Sequence, residues 1–224
     1  MRYFLDTASL VEVKRWLHSG LVSGVTTNAT LLADSGKDIL TAVSELSAAI
    51  PGPLSVPAIG NNSETMVRHA RIISSLAENI VIKIPATQEG LSAARSLSSS
   101  DICLNITFVF EPASAIPFLS LEPSYVSLIL DRSTDFGEPP EYRVLRLRQL
   151  RAIIDNSSSS TQIIAASIRT PETLSMAIHE GADVVTVPPG TWDLTLNNPM
   201  TMIDANLSEG LPKRLIEDLI RGRS

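Results

Sequence analysis

The sequence has 224 residues, of which 44% are hydrophobic and 19% are charged, so it predicts one compact globular domain and argues against extensive disorder. Its net charge of -6 at pH 7 excludes a strongly basic surface, and we therefore expect no nucleic-acid or membrane partner. The absence of a signal-peptide pattern, and of any apolar segment of about 18 residues, predicts a cytoplasmic protein.

Eight short runs of apolar and β-branched residues predict strands along the chain. They cover residues 3–5, 24–26, 54–58, 80–84, 102–108, 125–130, 162–166 and 184–187. The segments between them repeat apolar residues every three or four positions, as in Leu10, Val13 and Leu17, which is typical of amphipathic helices. Eight such units favour a closed (β/α)8 TIM barrel over a doubly wound open sheet, which usually has fewer strands and a glycine-rich fingerprint. We expect residues 1–224 to form this single domain, including a helical extension over 191–224 with a last helix at 212–220.

Local signals predict several helix boundaries. Asn61 with Glu64 fits a capping box, and Thr170 before Pro171 fits a capping hydroxyl followed by a first-turn proline. A helix is predicted over about 141–156, and its arginines are predicted to form an exposed face: Arg143, Arg146, Arg148 and Arg151.

The single cysteine and the three histidines give little indication of chemistry. Cys103 lies in an apolar run and is predicted to fill the core, and one cysteine cannot form an internal disulfide. His18, His69 and His179 fall in helical segments without metal-ligand spacing, so we predict that they are solvated and that the protein has no metal site.

The fourth predicted strand carries Lys83 inside an otherwise apolar run. Burial disfavours the charged ammonium and lowers the pKa of a lysine from its ordinary value of about 10.4. A neutral amine can attack a carbonyl and form a Schiff base, so Lys83 is a candidate nucleophile. A structural ion pair is the alternative explanation.

Polar residues recur where the predicted strands end. They are Asp6, Thr26, Asn28, Lys83, Asn105, Thr107, Ser127, Arg132, Ser167 and Arg169. In a barrel these positions converge on one pocket at the carboxyl ends of the strands. Each also has a structural explanation: Asp6 as a cap for the helix near Ser9, Asn28 as a turn residue, and the serines as partners of the backbone.

Two arginines near the last predicted strands suggest a phosphate site. Arg132 and Arg169 have the charge and reach to bind a phosphate, and Ser167 can add a neutral donor. Loops after the late strands of a barrel are a frequent phosphate location. Surface ion pairing of the arginines is the alternative.

In chain order these segments resemble the transaldolase and fructose 6-phosphate aldolase family, and the resemblance spans nearly the whole chain. The segments are FLDTA at 4–8, GVTTN at 24–28, VIKIPAT at 81–87 with EGL at 89–91, NIT at 105–107, and AASIRTP at 165–171. The resemblance implies a (β/α)8 barrel that acts through a lysine Schiff base without a metal or organic cofactor.

The resemblance also implies roles for individual residues. Lys83 would attack the ketose carbonyl and hold a dihydroxyacetone unit covalently, Asp6 would be the general base, and Thr107 would orient a catalytic water. The remaining candidates, Asn28, Thr26, Asn105, Ser127, Arg132, Ser167 and Arg169, would bind substrate hydroxyl and phosphate groups. Relatives of this length commonly form pentamers or decamers, which implies a homo-oligomer with the segment from Pro212 onward as a contact.

Three positions depart from the family pattern. Pro57 stands where the family usually has a water-positioning glutamate or glutamine. Ile129 stands where transaldolases have phenylalanine and the aldolases tyrosine, and Ala29 replaces the usual proline after Asn28. The sequence therefore leaves three hypotheses: a transaldolase acting on sedoheptulose 7-phosphate or fructose 6-phosphate, a fructose 6-phosphate aldolase, or a weakly active or inactive sugar-phosphate-binding barrel.

Overall fold

The protein forms a closed barrel of eight parallel strands in a computed structural model that describes residues 1–207. Each strand pairs with its neighbours in sequence, and the last strand pairs with the first. The strands are β1 (Arg2–Asp6), β2 (Gly24–Thr26), β3 (Leu54–Pro57), β4 (Ile80–Pro85), β5 (Cys103–Val109), β6 (Tyr125–Ile129), β7 (Gln162–Ala166) and β8 (Val184–Val187). The predicted TIM barrel is confirmed, and each predicted strand is present within about two residues.

Helices alternate with the strands and surround the barrel in the described part of the chain. They are α1 (Leu10–His18), α2 (Ala29–Asp34), α3 (Ile39–Ala49), α4 (Ser63–Ser74), α5 (Gln88–Leu97), α6 (Ile116–Leu119), α7 (Tyr142–Ser157), α8 (Pro171–His179), α9 (Pro189–Leu196) and α10 (Pro199–Leu207). Short 3-10 helices cover Pro112–Ala115 and Asp131–Phe136. The helix predicted over 212–220 lies outside the described residues. No helix within residues 1–207 is long and apolar enough to cross a membrane.

Two hydrophobic layers hold the barrel together. The larger layer lies between the sheet and the helices and includes Leu5, Val25 and Ile82 from the strands. The smaller fills the inside of the barrel, where Phe4 packs edge-to-face on Tyr125. Because side chains alternate along a strand, neighbouring residues of one strand supply both layers. The inner apolar layer fills the barrel beneath the polar residues at the strand ends.

Some local predictions are correct and others are shifted or wrong. Thr170 caps α8 as predicted, because its side chain accepts from the Thr173 backbone N–H. The cap of α4 is Asn62, one residue after the predicted Asn61, and its side chain accepts from the Thr65 N–H. Cys103 is exposed, because it opens β5 at the amino-terminal edge of the barrel, so the prediction that it fills the core is wrong.

The predicted exposed arginine face of α7 is also wrong. Arg146 is only 8% exposed, and each of the four arginines forms an ion pair with an acidic residue. Most of these acids lie on other elements, as with the pair between Arg143 and Asp131 and the pair between Arg148 and Glu180. The arginines of α7 therefore attach this helix to the surrounding loops.

Candidate active site

A pocket of about 180 Å³ opens at the carboxyl ends of the strands. The side chains that line it come from most of the strands, which is the arrangement expected of a barrel active site. Its lining includes Asp6, Thr26, Asn28, Lys83, Thr107, Phe108, Ser127, Ile129, Arg132, Ala166, Ser167, Ile168, Arg169, Thr186 and Pro188. Nine of the ten predicted site residues thus line one pocket, and Asn105 is the exception.

Lys83 projects from β4 into this pocket, because it occupies an inward-facing position near the end of the strand. Its Nζ donates to the backbone carbonyl oxygen of Thr27 at 3.0 Å, and it forms no ion pair with a carboxylate in the described part of the chain. Burial lowers the pKa of Lys83, the nearby Asp6 carboxylate partly opposes this effect, and the positive charge of Arg132 adds to it. The neutral amine is therefore easier to form here than in a solvated lysine, and the ion-pair alternative has no partner among residues 1–207.

Asp6 ends β1 and lies in the same pocket. Its Oδ1 accepts from the Thr26 hydroxyl at 2.9 Å, and Thr26 Oγ1 lies 2.6 Å from Thr186 Oγ1. Burial raises the pKa of Asp6, while Lys83, the Thr26 hydrogen bond and Arg132 lower it. A raised pKa suits a carboxyl that exchanges protons. The cap of α1 is Ser9 itself, so Asp6 is not the cap of this helix.

An irregularity in β5 shapes the wall that carries Thr107. The pairing between β5 and β6 shifts between Ile106 and Val109, and Phe108 adopts a left-handed backbone with φ of 57°. A bulge of this kind redirects side chains, and here it brings the Phe108 ring to the pocket. The Thr107 hydroxyl makes no hydrogen bond to a described residue, which leaves it available to a bound molecule or water.

Asn105 is not among the residues that line the pocket. It is fully buried, its Nδ2 donates to Ser55 Oγ at 3.2 Å, and its Oδ1 accepts from Ser127 Oγ at 2.8 Å. Both ends of the amide therefore have protein partners. Ser127 does line the pocket, so Asn105 contacts a lining residue but is not itself among the residues that line the pocket.

Asn28 has a structural contact as well as a place in the lining. It caps α2, and its Oδ1 accepts from the Leu31 backbone N–H at 3.0 Å. Its Nδ2 makes no hydrogen bond to a described residue. Asn28 can therefore cap α2 and also contact a bound molecule, because Oδ1 accepts the hydrogen bond from the helix while Nδ2 has no partner among the described residues.

The two predicted phosphate-binding arginines differ in their partners. Arg132 lines the pocket and forms no hydrogen bond or ion pair with any described side chain. Arg169 donates from both terminal nitrogens to Asp135, at 2.6 and 2.7 Å, and this pair is exposed. The surface-pair alternative thus applies to Arg169 and not to Arg132. Ser167 lines the same pocket and has a left-handed backbone with φ of 60°.

Of the two departures at Pro57 and Ile129, only Ile129 lines the pocket. Pro57 is paired in register with Lys83, so it lies next to the strand position that carries the amine. Ile129 ends β6 and lines the pocket with an aliphatic side chain. Five further lining residues were not predicted from the sequence as site residues: Phe108, Ala166, Ile168, Thr186 and Pro188. Thr186 carried the same signal as Thr107, a hydroxyl within an apolar run, whereas Phe108 carried none.

The histidines lie away from the pocket. His18 and His179 are exposed, and Nδ1 of His69 accepts from the Ile59 backbone N–H, so His69 has a structural contact that the sequence did not predict. Among the described residues, no group of three or more histidine, cysteine, aspartate or glutamate side chains is arranged to hold a metal.

Comparison with known proteins places this barrel in a family. The model of the transaldolase/fructose-6-phosphate aldolase family matches residues 3–221, and the chain belongs to that family. A "Probable transaldolase" of Hydrogenobaculum sp. is 36% identical over 91% of this chain and 92% of its own. A "Probable transaldolase 2" of Listeria monocytogenes is 35% identical over 90% of this chain and 91% of its own.

Solved structures share the fold at low sequence identity. The dihydrodipicolinate synthase of Rhodopseudomonas palustris superposes with a TM-score of 0.60 and 13% identity, covering 83% of this chain and 69% of that one. A thiamine phosphate pyrophosphorylase of Pyrococcus furiosus gives a TM-score of 0.56 and 13% identity, covering 84% and 85%. These likenesses concern the barrel alone.

Proposed function

We propose that the protein is a transaldolase that transfers a dihydroxyacetone unit between sugar phosphates through a Schiff base on Lys83. The observation that carries the proposal is the amine itself. It lies in the pocket, burial lowers its pKa, and no carboxylate of the described residues forms an ion pair with it. Such an amine is neutral in a larger fraction of molecules than a solvated lysine and can attack a ketone carbonyl.

The neighbours of Lys83 support the remaining steps. The lone pair of Nζ adds to the ketose carbonyl, and loss of water gives an iminium that accepts electrons when the adjacent carbon-carbon bond breaks. Asp6 takes the proton of the hydroxyl on the departing carbon, which leaves as an aldehyde, and returns it when an acceptor aldehyde adds. The hydrogen bond from Thr26 fixes the orientation of the Asp6 carboxyl for this exchange.

The other lining residues are suited to hold a sugar phosphate. Asn28 and Ser127 lie where they can contact hydroxyl groups of the three-carbon unit, and the free Thr107 hydroxyl can orient the water that hydrolyses the iminium. Arg132 supplies an unpaired positive charge for a phosphate, with Ser167 and Arg169 beside it. We propose sedoheptulose 7-phosphate or fructose 6-phosphate as donor and an aldose phosphate as acceptor.

Two other functions stay open because of specific residues. Ile129 lines the pocket where transaldolases have phenylalanine and fructose 6-phosphate aldolases have tyrosine, so this position does not distinguish the two activities. An aldolase that releases free dihydroxyacetone is therefore the second candidate. Pro57 pairs in register with Lys83 and has no polar side chain to position a water, which favours the third candidate, a barrel that binds sugar phosphates but catalyses poorly or not at all.

Borohydride trapping tests the proposal. The protein is reduced in the presence of fructose 6-phosphate, and its peptides are analysed by mass. We expect a three-carbon adduct on the peptide with Lys83, none in the Lys83→Met variant, and an unchanged adduct in Lys14→Met, whose side chain is exposed on α1. If no adduct forms on Lys83, both enzymatic candidates fail.

Analysis of products without an acceptor then separates aldolase from transaldolase, because only the aldolase releases dihydroxyacetone repeatedly.

A further inference from the structure

Asp131 is a buried carboxylate to which three different elements bind. It is 4% exposed and begins the 3-10 helix that follows β6. Its Oδ2 accepts from the backbone N–H of Arg169 at 2.6 Å, and its Oδ1 accepts from the Thr173 hydroxyl of α8 at 3.0 Å. Arg143 of α7 completes the set through an ion pair and also donates to Thr173 Oγ1 at 2.6 Å.

These contacts fix two loops that line the pocket. Asp131 directly precedes Arg132 in the chain, and its own backbone N–H donates to the carbonyl oxygen of Ser167 at 3.1 Å. Its carboxylate holds the N–H of Arg169, two residues further on. Asp131 therefore binds the segment 167–169 on both sides of Ile168, where Ser167 keeps a left-handed backbone that few residues adopt unaided.

The charge arrangement also matters for an anion in the pocket. Asp131 is absent from the pocket lining, and its negative charge is matched by the guanidinium of Arg143 behind it. A carboxylate one residue from Arg132 would otherwise weaken the attraction of an anion to that arginine. The Arg143 pair lets Asp131 serve as an anchor for both loops without opposing a bound phosphate.

We propose that Asp131 is the positioning residue of the phosphate subsite. It sets the spacing between Arg132 on one loop and Ser167 and Arg169 on the other, so that the three groups act on one phosphate together. The identity of the phosphate as part of a sugar phosphate rests on the proposed function. The anion-binding role of the two loops does not require any chemistry at Lys83.

Three measurements on Asp131→Asn test this inference. Calorimetry measures the binding of inorganic phosphate. Borohydride trapping with dihydroxyacetone, which has no phosphate, measures how much adduct forms on Lys83. We expect phosphate affinity to fall at least tenfold and the KM for fructose 6-phosphate to rise similarly, while the adduct yield with saturating dihydroxyacetone changes less than twofold. The matched control is Asp155→Asn, which removes an exposed carboxylate paired with Arg151 on α7, and it should bind phosphate like the wild type.

Each contrary result has a distinct meaning. If Asp131→Asn binds phosphate within twofold of the wild type, or if trapping with dihydroxyacetone falls as much as phosphate affinity, the residue has only a general structural role and the inference fails. It fails also if the wild type binds no phosphate. A wild type that binds phosphate but forms no adduct overturns the proposed function and leaves the positioning role standing. If Asp131→Asn does not fold, Thr173→Val is measured instead, with about threefold weaker phosphate binding expected and no change contradicting the inference.

Discussion

Asp6 and Lys83 lie in one pocket, and each opposes the effect of burial on the pKa of the other. Burial raises the pKa of the carboxyl and lowers that of the amine, and the attraction between the charged forms reduces both shifts. Because the two groups influence each other's protonation, the pKa values observed in a titration describe Asp6 and Lys83 together and not either residue alone. In the proposed mechanism Lys83 is the nucleophile and Asp6 is the proton acceptor, and both lie in this pocket.

The coupling predicts the behaviour of Asp6→Asn. Removing the carboxylate removes the influence that raises the pKa of Lys83, so the amine becomes neutral at lower pH and the pH midpoint of adduct formation moves down. Turnover should nevertheless fall by about 10² to 10⁴-fold, the usual contribution of a general base. The pH dependence of trapping and the steady-state rate are the measurements.

The control for Asp6→Asn is Asp34→Asn, at an exposed position that ends α2. It removes the same charge far from the amine and should leave both the midpoint and the rate unchanged. A midpoint that moves up in Asp6→Asn, or turnover within tenfold of the wild type, would argue against Asp6 as the base.

The two arginines should contribute unequally to phosphate binding. Arg132 has no hydrogen-bond or ion-pair partner within residues 1–207, whereas Arg169 must give up part of its bidentate pair with Asp135. A hydrogen bond to a charged group contributes about 1.5–3 kcal/mol, so we expect Arg132→Met to raise the KM for fructose 6-phosphate by about 10- to 100-fold. Arg169→Met should have a smaller effect, and Asp135→Asn should lower the KM by releasing Arg169. Equal effects of the two arginine variants would contradict this ranking.

Pro57 can be tested by restoring a polar side chain. Its register with Lys83 places residue 57 beside the amine, where a glutamine can orient water. We expect Pro57→Gln to increase turnover if water positioning limits the rate. Pro57→Glu should increase it less at neutral pH, because a carboxylate beside Lys83 raises the pKa of the amine and leaves less of it neutral. A slower Pro57→Gln enzyme would mean that protons move by another route.

Gly90 is required for the close approach of α5 to the end of β4. A Cβ at this position would lie 1.9 Å from the Pro85 carbonyl oxygen, two residues after Lys83. We expect Gly90→Ala to lower the free energy of unfolding by about 1–3 kcal/mol, as overpacking does, and to reduce trapping at Lys83. Denaturant unfolding measures the first effect.

The control for Gly90→Ala is Gly190→Ala, where a Cβ meets no atom within 4 Å. Gly190 lies in α9, so alanine there should stabilise the helix by up to about 1 kcal/mol. If Gly90→Ala were as stable as the wild type, the close contact would not constrain β4.

The sequence predicted the barrel well because each strand is a short apolar run, and polar residues within or just after such runs marked the pocket. Lys83 and Thr107 were found in this way. It was harder to predict which residues of one face reach the pocket. Asn105 and Thr107 are two residues apart on β5 and share a face, yet only Thr107 lines the pocket, whereas Asn105 is hydrogen-bonded to Ser55 and Ser127. The spacing of residues in the sequence predicts the face of the strand on which a side chain lies, but it does not predict whether that side chain reaches the pocket.

Other features depend on contacts between distant parts of the chain. The arginines of α7 resembled an exposed face because their partners, such as Asp131 and Glu180, lie on other elements. Phe108 reaches the pocket through a bulge that nothing in its residue type indicates. Asp131 seemed unremarkable in the sequence, since the donors that converge on it lie 12 to 42 residues away.

The titration of Lys83 Nζ tests the central claim most directly. The chain has only four lysines, Lys14, Lys37, Lys83 and Lys213, so ¹⁵N-lysine labelling gives few signals, and Lys83→Met assigns the one of interest. Their nitrogen shifts are followed by NMR as the pH is raised. We predict that Lys83 loses its proton well below the ordinary lysine pKa of about 10.4, because burial disfavours its ammonium form. A Lys83 signal that titrates at or above that value would contradict the account of this site.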